Sequence, residues 1–141
     1  MNAMATGRAT LTLIPYEKPL LDKAQELITK GDMTKGDFSI AVVVAHMACE
    51  ISAERAILRA FDAKGIKYRK DFSGFNLASN RLSNLYNAVT GDEIQKKFSS
   101  WKAFKESATR RNQAVHRARL LTKAEAEDSH KAASDLVTYL R

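Results

Sequence analysis

Three side chains in the last third of the sequence have the chemistry needed to cleave a phosphodiester bond without a metal ion. Arg111, Asn112 and His116 follow the pattern Arg-Asn-x-x-x-His. Histidine exchanges a proton near neutral pH and can act as a general base or acid. An arginine fork stabilises the extra negative charge that develops around the phosphorus atom. Asn112, one helical turn before His116, is suited to orient the imidazole or the phosphate, so the three residue types suit metal-free chemistry on a phosphodiester.

The segment that carries these residues, 98–120, is predicted to be one helix because it lacks Gly and Pro and its apolar residues recur at helical spacing. That apolar stripe comprises Phe98, Trp101, Phe104, Ala108, Val115 and Ala118. Arg111 and Asn112 flank the stripe on either side of Val115. On a single helix, Arg111 and His116 diverge by about 140°. A compact site is therefore easier to assemble where two copies of the helix meet across a two-fold axis, which predicts a homodimer.

Positive charge is concentrated around the same helix. The chain has a formal net charge of +7, and residues 92–123 contain nine Lys or Arg against three Asp or Glu, a net of +6. A concentrated basic field attracts phosphate polymers. An ordinary solvated helix face remains the alternative interpretation. The side chains predicted to contact the RNA backbone are Lys102, Lys105, Arg110, Arg117 and Arg119.

A second candidate cluster lies on the most apolar segment, 38–64, which is predicted to be a central helix. His46, Glu50 and Glu54 are spaced four residues apart and share one stripe. The spacing is also found in carboxylate-bridged metal sites of helical bundles, and Glu127-x-x-His130 matches one element of such sites. Because a di-metal site needs two such elements, we predict no metal. One of the two glutamates is expected to be a buried partner of an arginine, and the other to face solvent.

The remaining chain predicts an all-α fold. Residues 10–15 alternate briefly, so residues 1–15 are predicted as an extended arm. Asn76 is predicted to cap the third helix, and Thr122-x-x-Glu125 forms a capping-box sequence. The sequence therefore predicts one helical domain over 1–141, a bundle of four main helices plus a short fifth. The predicted helices other than 98–120 span 17–30, 38–64, 77–90 and 123–140, with a short turn at 92–97.

Features that bear on cellular location are few. Cys49 is the only cysteine, so no disulfide can form within the chain. The N-terminus lacks the apolar core of a signal peptide, and the longest apolar run, residues 40–45, is too short to span a membrane. We therefore expect a cytoplasmic protein that does not enter a membrane.

The Arg111-Asn112-x-x-x-His116 sequence resembles the signature of HEPN domains, small helical domains of prokaryotic toxin and defence proteins and of larger RNases. The apolar, acid-bearing second helix also looks like that of the family, and the resemblance spans roughly residues 37–140. Many members have glycine just after the histidine or one residue later, where this chain has Arg117-Ala118.

The resemblance implies a homodimeric, metal-independent and cofactor-free endoribonuclease. In such enzymes the 2′-hydroxyl attacks the neighbouring phosphate and leaves a 2′,3′-cyclic phosphate end. Arg111, Asn112 and His116 would be the catalytic residues, supported by Glu50 or Glu54. The resemblance also implies a role in toxin–antitoxin or phage-defence systems, with an antitoxin protein as a possible partner.

A non-catalytic helical module that dimerises or binds a partner protein or nucleotide is the alternative. In that case Asn112 and His116 would satisfy each other in a helix–helix contact. The two interpretations differ in where Arg111 and His116 point, either into an open basic cleft or into a closed packed seam.

Overall fold

The structure, a computed structural model, describes residues 16–67 and 74–141 and confirms the all-α prediction. Within these ranges the chain forms six α-helices, one 3₁₀ helix and no strands. The predicted arm at 1–15 lies outside the described residues, as does part of the loop after the second helix. The helices are α1 (Glu17–Lys30), the 3₁₀ helix (Met33–Lys35), α2 (Asp37–Ala63), α3 (Asn80–Thr90), α4 (Ile94–Lys97), α5 (Trp101–Arg117) and α6 (Lys123–Leu140).

The long helix α2 is the centre of the bundle, and α1, α3, α5 and α6 all pack against it. Its inward positions are rich in alanine, including Ala41, Ala45 and Ala53, all of them fully buried. Small side chains let neighbouring backbones approach closely, so one helix can contact four others. No helix in the described part of the chain is both long and apolar enough to cross a membrane.

The predicted start of the third helix was wrong. α3 begins at Asn80 rather than 77, because Ser79 is the N-cap and its Oγ accepts a hydrogen bond of 3.3 Å from the Leu82 N–H. Asn76, the predicted cap, instead accepts a 3.0 Å bond from the Ala78 N–H in the turn before the helix. By contrast, the predicted capping box of Thr122 and Glu125 is present.

The helix predicted at 98–120 is shorter at both ends. Phe98 ends α4, and the Trp101 N–H bonds to the Phe98 carbonyl at 3.1 Å. At the other end Ala118 adopts the left-handed conformation with φ of 50° and ends α5. This conformation favours glycine, because a Cβ atom crowds the following carbonyl. Ala118 therefore occupies a position where glycine would be favoured.

The turn after α5 is held against the start of α2. The Ser39 hydroxyl donates to the Arg119 carbonyl at 2.7 Å and accepts from the Leu121 N–H at 2.9 Å. This double contact places the C-terminal end of α5 beside the N-terminal end of α2, so the two helices run antiparallel. His116 and Arg117 therefore lie at a defined place on the bundle surface.

Candidate functional site

Aromatic packing at the N-terminal half of α5 positions the helix. Phe104 is buried between α2 and α5, with the Trp101 ring centroid 5.4 Å away. Ser107 and Ala108, one turn later, are also buried. Beyond them the same stripe leaves the core, and the side chain of Val115 is 46 % exposed. The Arg-Asn-x-x-x-His residues thus lie where a core-facing helix surface becomes accessible.

Arg111 lies at this boundary and is partly buried. Its Nη1 donates to the Asn112 Oδ1 at 3.1 Å, so the two neighbouring side chains are linked directly. The arginine lines a cavity of about 370 Å³ bounded by α2, α3 and α5. The other lining residues are His46, Glu50, Gly74, Asn76, Ser79, Arg81 and Leu82.

His46 forms the deepest polar part of this wall. Its side chain is 2 % exposed, and no hydrogen-bond partner of its buried Nδ1 is found among the described residues. Burial, and secondarily the positive charge of Arg111, lower the pKa of His46 to about 4. The imidazole is therefore neutral at pH 7, and the cavity wall carries a polar but uncharged ring beside Arg111.

The two candidate supporting glutamates occupy different surroundings. Glu50 lines the cavity together with Arg111, and its carboxylate lies close to Gly74. Glu54 lines a neighbouring depression, which Glu50 also borders but Arg111 does not. Glu50 is thus the acidic residue that shares a cavity with Arg111, although within the described ranges the two form no ion pair.

His116 lies on a different part of the surface. It is exposed and lines a separate depression of about 290 Å³, together with Thr109, Asn112, Gln113 and Arg117. In the described part of the chain, the His116 imidazole forms no hydrogen bond with Asn112. Arg111 and His116 of one chain therefore lie in two separate depressions. The two side chains neither share one cleft nor meet in a closed contact between helices.

The five predicted RNA-binding residues divide into two groups. Lys102, Lys105 and Arg117 are exposed, and the Lys105 Nζ donates to the Ala78 carbonyl oxygen at 3.5 Å. The other two, Arg110 and Arg119, are engaged within the protein.

Both engaged arginines approach the capping-box residue Glu125. Arg119 donates to the Glu125 Oε2 at 2.7 Å and to the Gln113 Oε1 at 2.6 Å. Arg110 lies 4.0 Å from the same carboxylate and bonds to the Ser129 Oγ at 3.2 Å. Both guanidiniums therefore tie α5 to α6, and the basic surface free to meet a ligand is narrower than the sequence suggests.

The possible metal-ligand residues are dispersed. His130 contacts the Leu21 carbonyl oxygen through its Nε2 at 3.0 Å, and Glu127 is exposed. No group of three or more His, Cys, Asp or Glu with metal-binding geometry is present in residues 16–67 and 74–141.

Sequence reasoning missed the contribution of α3 to the Arg111 cavity. Asn76, Ser79 and Arg81 lie some 30 residues before Arg111, and only the packing of α3 against α2 brings them to the same cavity. The sequence shows only that an arginine follows the start of a helix. This pattern indicates no function until the positions of the neighbouring helices are known.

Comparison with known proteins adds no relative. No protein-family model, curated protein or solved structure matches this chain. Its function is therefore inferred from the residues and geometry of the site.

Proposed function

We propose that this protein is a metal-independent endoribonuclease of the HEPN type. The observation that carries the proposal is the position of the Arg-Asn-x-x-x-His residues at the point where α5 leaves the core. Arg111 is partly buried and linked to Asn112, and His116 is exposed one turn later. All three side chains are accessible from solvent or from the cavity beside α5, as catalysis on a polymer requires.

Each residue has a role in the proposed reaction. The 2′-hydroxyl attacks the adjacent phosphorus atom, and the bond to the 5′-oxygen breaks, which leaves a 2′,3′-cyclic phosphate and a 5′-hydroxyl. His116 exchanges the proton lost by the 2′-hydroxyl or gained by the 5′-oxygen. Arg111 stabilises the charge on the non-bridging oxygens. Asn112 holds the Arg111 guanidinium through its Oδ1, and Glu50 balances the positive charge of the cavity.

Assembly of the site requires a second protomer, because Arg111 and His116 face different depressions within one chain. Exposed apolar residues at the same end of the α2–α5 pair support a two-fold dimer. Val115 on α5 is 46 % exposed, Ile40 on α2 is 48 % exposed, and Leu120 approaches Gly36 at the start of α2. Burying these side chains against a second copy would bring Arg111 of one protomer toward the second α5.

The basic surface of α5 supports RNA as the substrate. The exposed Lys102, Lys105 and Arg117 would contact the backbone, whereas Arg110 and Arg119 act first as links to α6. In the cell we propose a cytoplasmic role in a toxin–antitoxin or phage-defence system, in which a partner protein restrains the nuclease.

A cleavage assay in the presence of EDTA tests the proposal. Purified protein is incubated with a labelled single-stranded RNA, and the product ends are identified by phosphorylation of the new 5′-hydroxyl with a kinase and by mass. The proposal expects fragments with 2′,3′-cyclic phosphate ends, formed equally with and without EDTA. A matched RNA with 2′-O-methyl groups should remain intact, and cleavage that EDTA abolishes would contradict the proposal.

The separation of Arg111 and His116 within one protomer favours one other candidate function, a non-catalytic helical module that dimerises or binds a partner protein or nucleotide. Such a module would bind its ligand without cleaving RNA under any of these conditions. A stable dimer that leaves every RNA intact would support this second candidate.

A further inference from the structure

The cavity beside Arg111 is lined by both hydrogen-bond acceptors and hydrogen-bond donors. Glu50 supplies a carboxylate from α2, and Asn76, which precedes α3, supplies an amide. The Asn76 Oδ1 accepts from the Ala78 N–H, so the group that Asn76 can offer a ligand is its Nδ2 donor. Arg81 also lines the cavity, but it already interacts within the protein and is given no contact with a ligand.

The Glu50 carboxylate has acceptor oxygens that the protein does not use. The residue is half-buried, and among residues 16–67 and 74–141 its side chain accepts no hydrogen bond and forms no ion pair. A Cβ atom placed on Gly74 would lie 3.7 Å from the Glu50 Oε2, so this oxygen lies near the loop that lines the cavity. A carboxylate has two acceptor oxygens and no donor. A ligand that presents two neighbouring donors would therefore match it.

His46 supplies an independent sign that a ligand belongs in the cavity. The side chain is almost completely buried, and its Nδ1 lacks a partner in the described part of the structure. Buried polar atoms nearly always have a partner. The ring is neutral at pH 7, so it can donate one hydrogen bond to a ligand without adding a positive charge.

A carboxylate together with neutral donors selects the kind of ligand. Guanine has two neighbouring donors, N1–H and N2–H, and acceptors at O6 and N7. The Glu50 oxygens can accept from both donors, while Asn76 and His46 can donate to the acceptors. On the same edge, adenine, cytosine and uracil each place an acceptor atom beside their donor, and a carboxylate repels that atom.

The size of the cavity and the position of Arg111 agree with a base that belongs to RNA. The volume of about 370 Å³ lies within the range of roughly 300–1,000 Å³ for small-molecule sites. Leu82 adds an apolar surface for the ring. Arg111 has donors beyond the one that bonds to Asn112, so it remains available for the phosphate of the same nucleotide.

We infer that the cavity is a subsite for one guanine base of single-stranded RNA, held by Glu50, Asn76 and His46. The choice of RNA as the substrate rests on the proposed function. Single-stranded RNA is commonly recognised in this way, through the edges of bases that are not paired. Cleavage would then occur next to a guanosine.

Two RNAs that differ by one amino group test the subsite separately from catalysis. Each is a short, fluorescein-labelled strand of 2′-O-methyl uridines with one 2′-deoxyguanosine or one 2′-deoxyinosine, so neither has an attacking hydroxyl. Inosine lacks only the N2 amino group of guanosine. By fluorescence anisotropy, the wild type should bind the inosine strand about tenfold or more weakly, because a hydrogen bond to a carboxylate is lost. Equal affinities would overturn the inference.

Glu50→Ala and Glu54→Ala assign the preference for guanosine to one carboxylate. Glu50→Ala removes both acceptor oxygens from the cavity, so the ratio of the two affinities should fall to near one. Glu54→Ala removes the same group from the neighbouring depression and should keep the wild-type ratio. Because both strands are measured on one preparation, a partial loss of folded protein changes the two affinities alike. A ratio that survives in Glu50→Ala would overturn the inference.

Guanosine monophosphate shows whether the base must belong to RNA. It should displace the labelled strand only at a much higher concentration than the unlabelled strand does, since the strand also meets the exposed basic residues of α5. Guanosine monophosphate that binds more tightly than the strand would reassign the cavity to free nucleotides and overturn the inference.

The outcomes also separate the two proposals. A wild type that never cleaves RNA, yet prefers the guanosine strand through Glu50, would remove the nuclease function and leave the subsite standing. A wild type that cleaves RNA in EDTA but binds both strands equally would leave the nuclease function standing and remove the subsite.

Discussion

The imidazole of His46 lies parallel to the ring of Phe104, with the ring centroids 6.1 Å apart and the planes 6° from parallel. This stacking joins the centre of α2 to the N-terminal half of α5. The same imidazole lines a cavity that is also lined by Arg111, which lies further along α5. One buried histidine therefore connects the packing of the core to the environment of the proposed catalytic arginine.

We predict that His46 makes the fold sensitive to mild acid. Its folded-state pKa of about 4 lies below the usual value of 6.5, so the unfolded chain binds a proton that the folded chain does not. This contribution to stability is complete above pH 6.5 and is lost as the pH falls toward 4. Burial and the positive charge of Arg111 disfavour the charged ring, and the other charged residues that line the same cavity are Arg81 and Glu50. Urea denaturation should show a loss of about 2 kcal/mol between pH 7 and pH 5 from this group.

His46→Phe provides the control for this prediction. The substitution keeps a ring against Phe104 but removes the titrating group, whereas every carboxylate of the protein is retained. The variant should lose less stability than the wild type over the same pH interval. An identical pH profile for the two proteins would mean that His46 is not the acid-sensitive group.

The sequence predicted the elements better than it predicted their ends. Apolar periodicity identified the main helices, and α1 matches its predicted bounds. The end of α5 was misplaced because nothing in the local composition marks Ala118 as a helix terminus. It adopts its left-handed conformation where Ser39 bonds to the following turn, a contact between positions 80 residues apart.

The candidate site was predicted only in part, for a similar reason. Helical spacing predicts that Arg111 and His116 diverge, and the structure places them in separate depressions. The spacing of residues along one helix gives no information on which residues of other helices pack against that helix. The contributions of Asn76 and Arg81 depend on how α3 packs, and that packing cannot be read from α5.

Ala118→Gly should stabilise the protein. An alanine in the left-handed conformation costs about 1–2 kcal/mol, and glycine adopts it freely but loses more chain entropy on folding. We expect a net gain of about 1 kcal/mol, seen as a rise of roughly 3 °C in melting temperature. Ala88→Gly, at an exposed position inside α3, should instead lower the melting temperature. A fall for both variants would show that Ala118 is not strained.

Two basic residues near the end of α5 should respond differently to charge reversal. Arg117 is exposed, whereas Arg119 donates to Gln113 and Glu125. Arg117→Glu should weaken RNA binding and flatten its salt dependence, because fewer counterions are released, with no change in melting temperature. Arg119→Glu should lower the melting temperature, since it removes both bonds and places two carboxylates together. Equal thermal effects would contradict this assignment, as would RNA binding that does not depend on salt.

The dimer prediction is tested by an apolar-to-acidic pair of variants. Val115→Asp places a charge on the proposed interface and should convert a dimer to a monomer in light scattering at micromolar concentration. The protomer itself should stay folded, because Val115 is already 46 % exposed. Ile66→Asp introduces the same charge at a 47 % exposed residue beyond the opposite end of α2 and should leave the dimer intact. A monomeric wild type would count against the assembled site.

The most direct prediction concerns catalysis by the assembled site. His116→Ala removes the group proposed to transfer the proton, and Arg111→Ala removes the cation proposed to stabilise the phosphorane. Each change should reduce cleavage about 100-fold or more. Glu106→Ala, at an exposed position of the same helix, serves as the control and should cleave like the wild type.

Thermal melting of the same preparations separates a catalytic role from a structural one. His116 is exposed and forms no hydrogen bond among the described residues, so its removal should leave the melting temperature unchanged. Arg111 is partly buried, but the hydrogen bond that it forms among residues 16–67 and 74–141 is to the neighbouring Asn112, which is exposed and can bond to water instead. A structural role predicts the reverse pattern, because stripping a partner from a buried polar pair costs about 1–3 kcal/mol. Variants that melt early, together with a wild type that does not cleave RNA, would therefore assign these side chains to the fold.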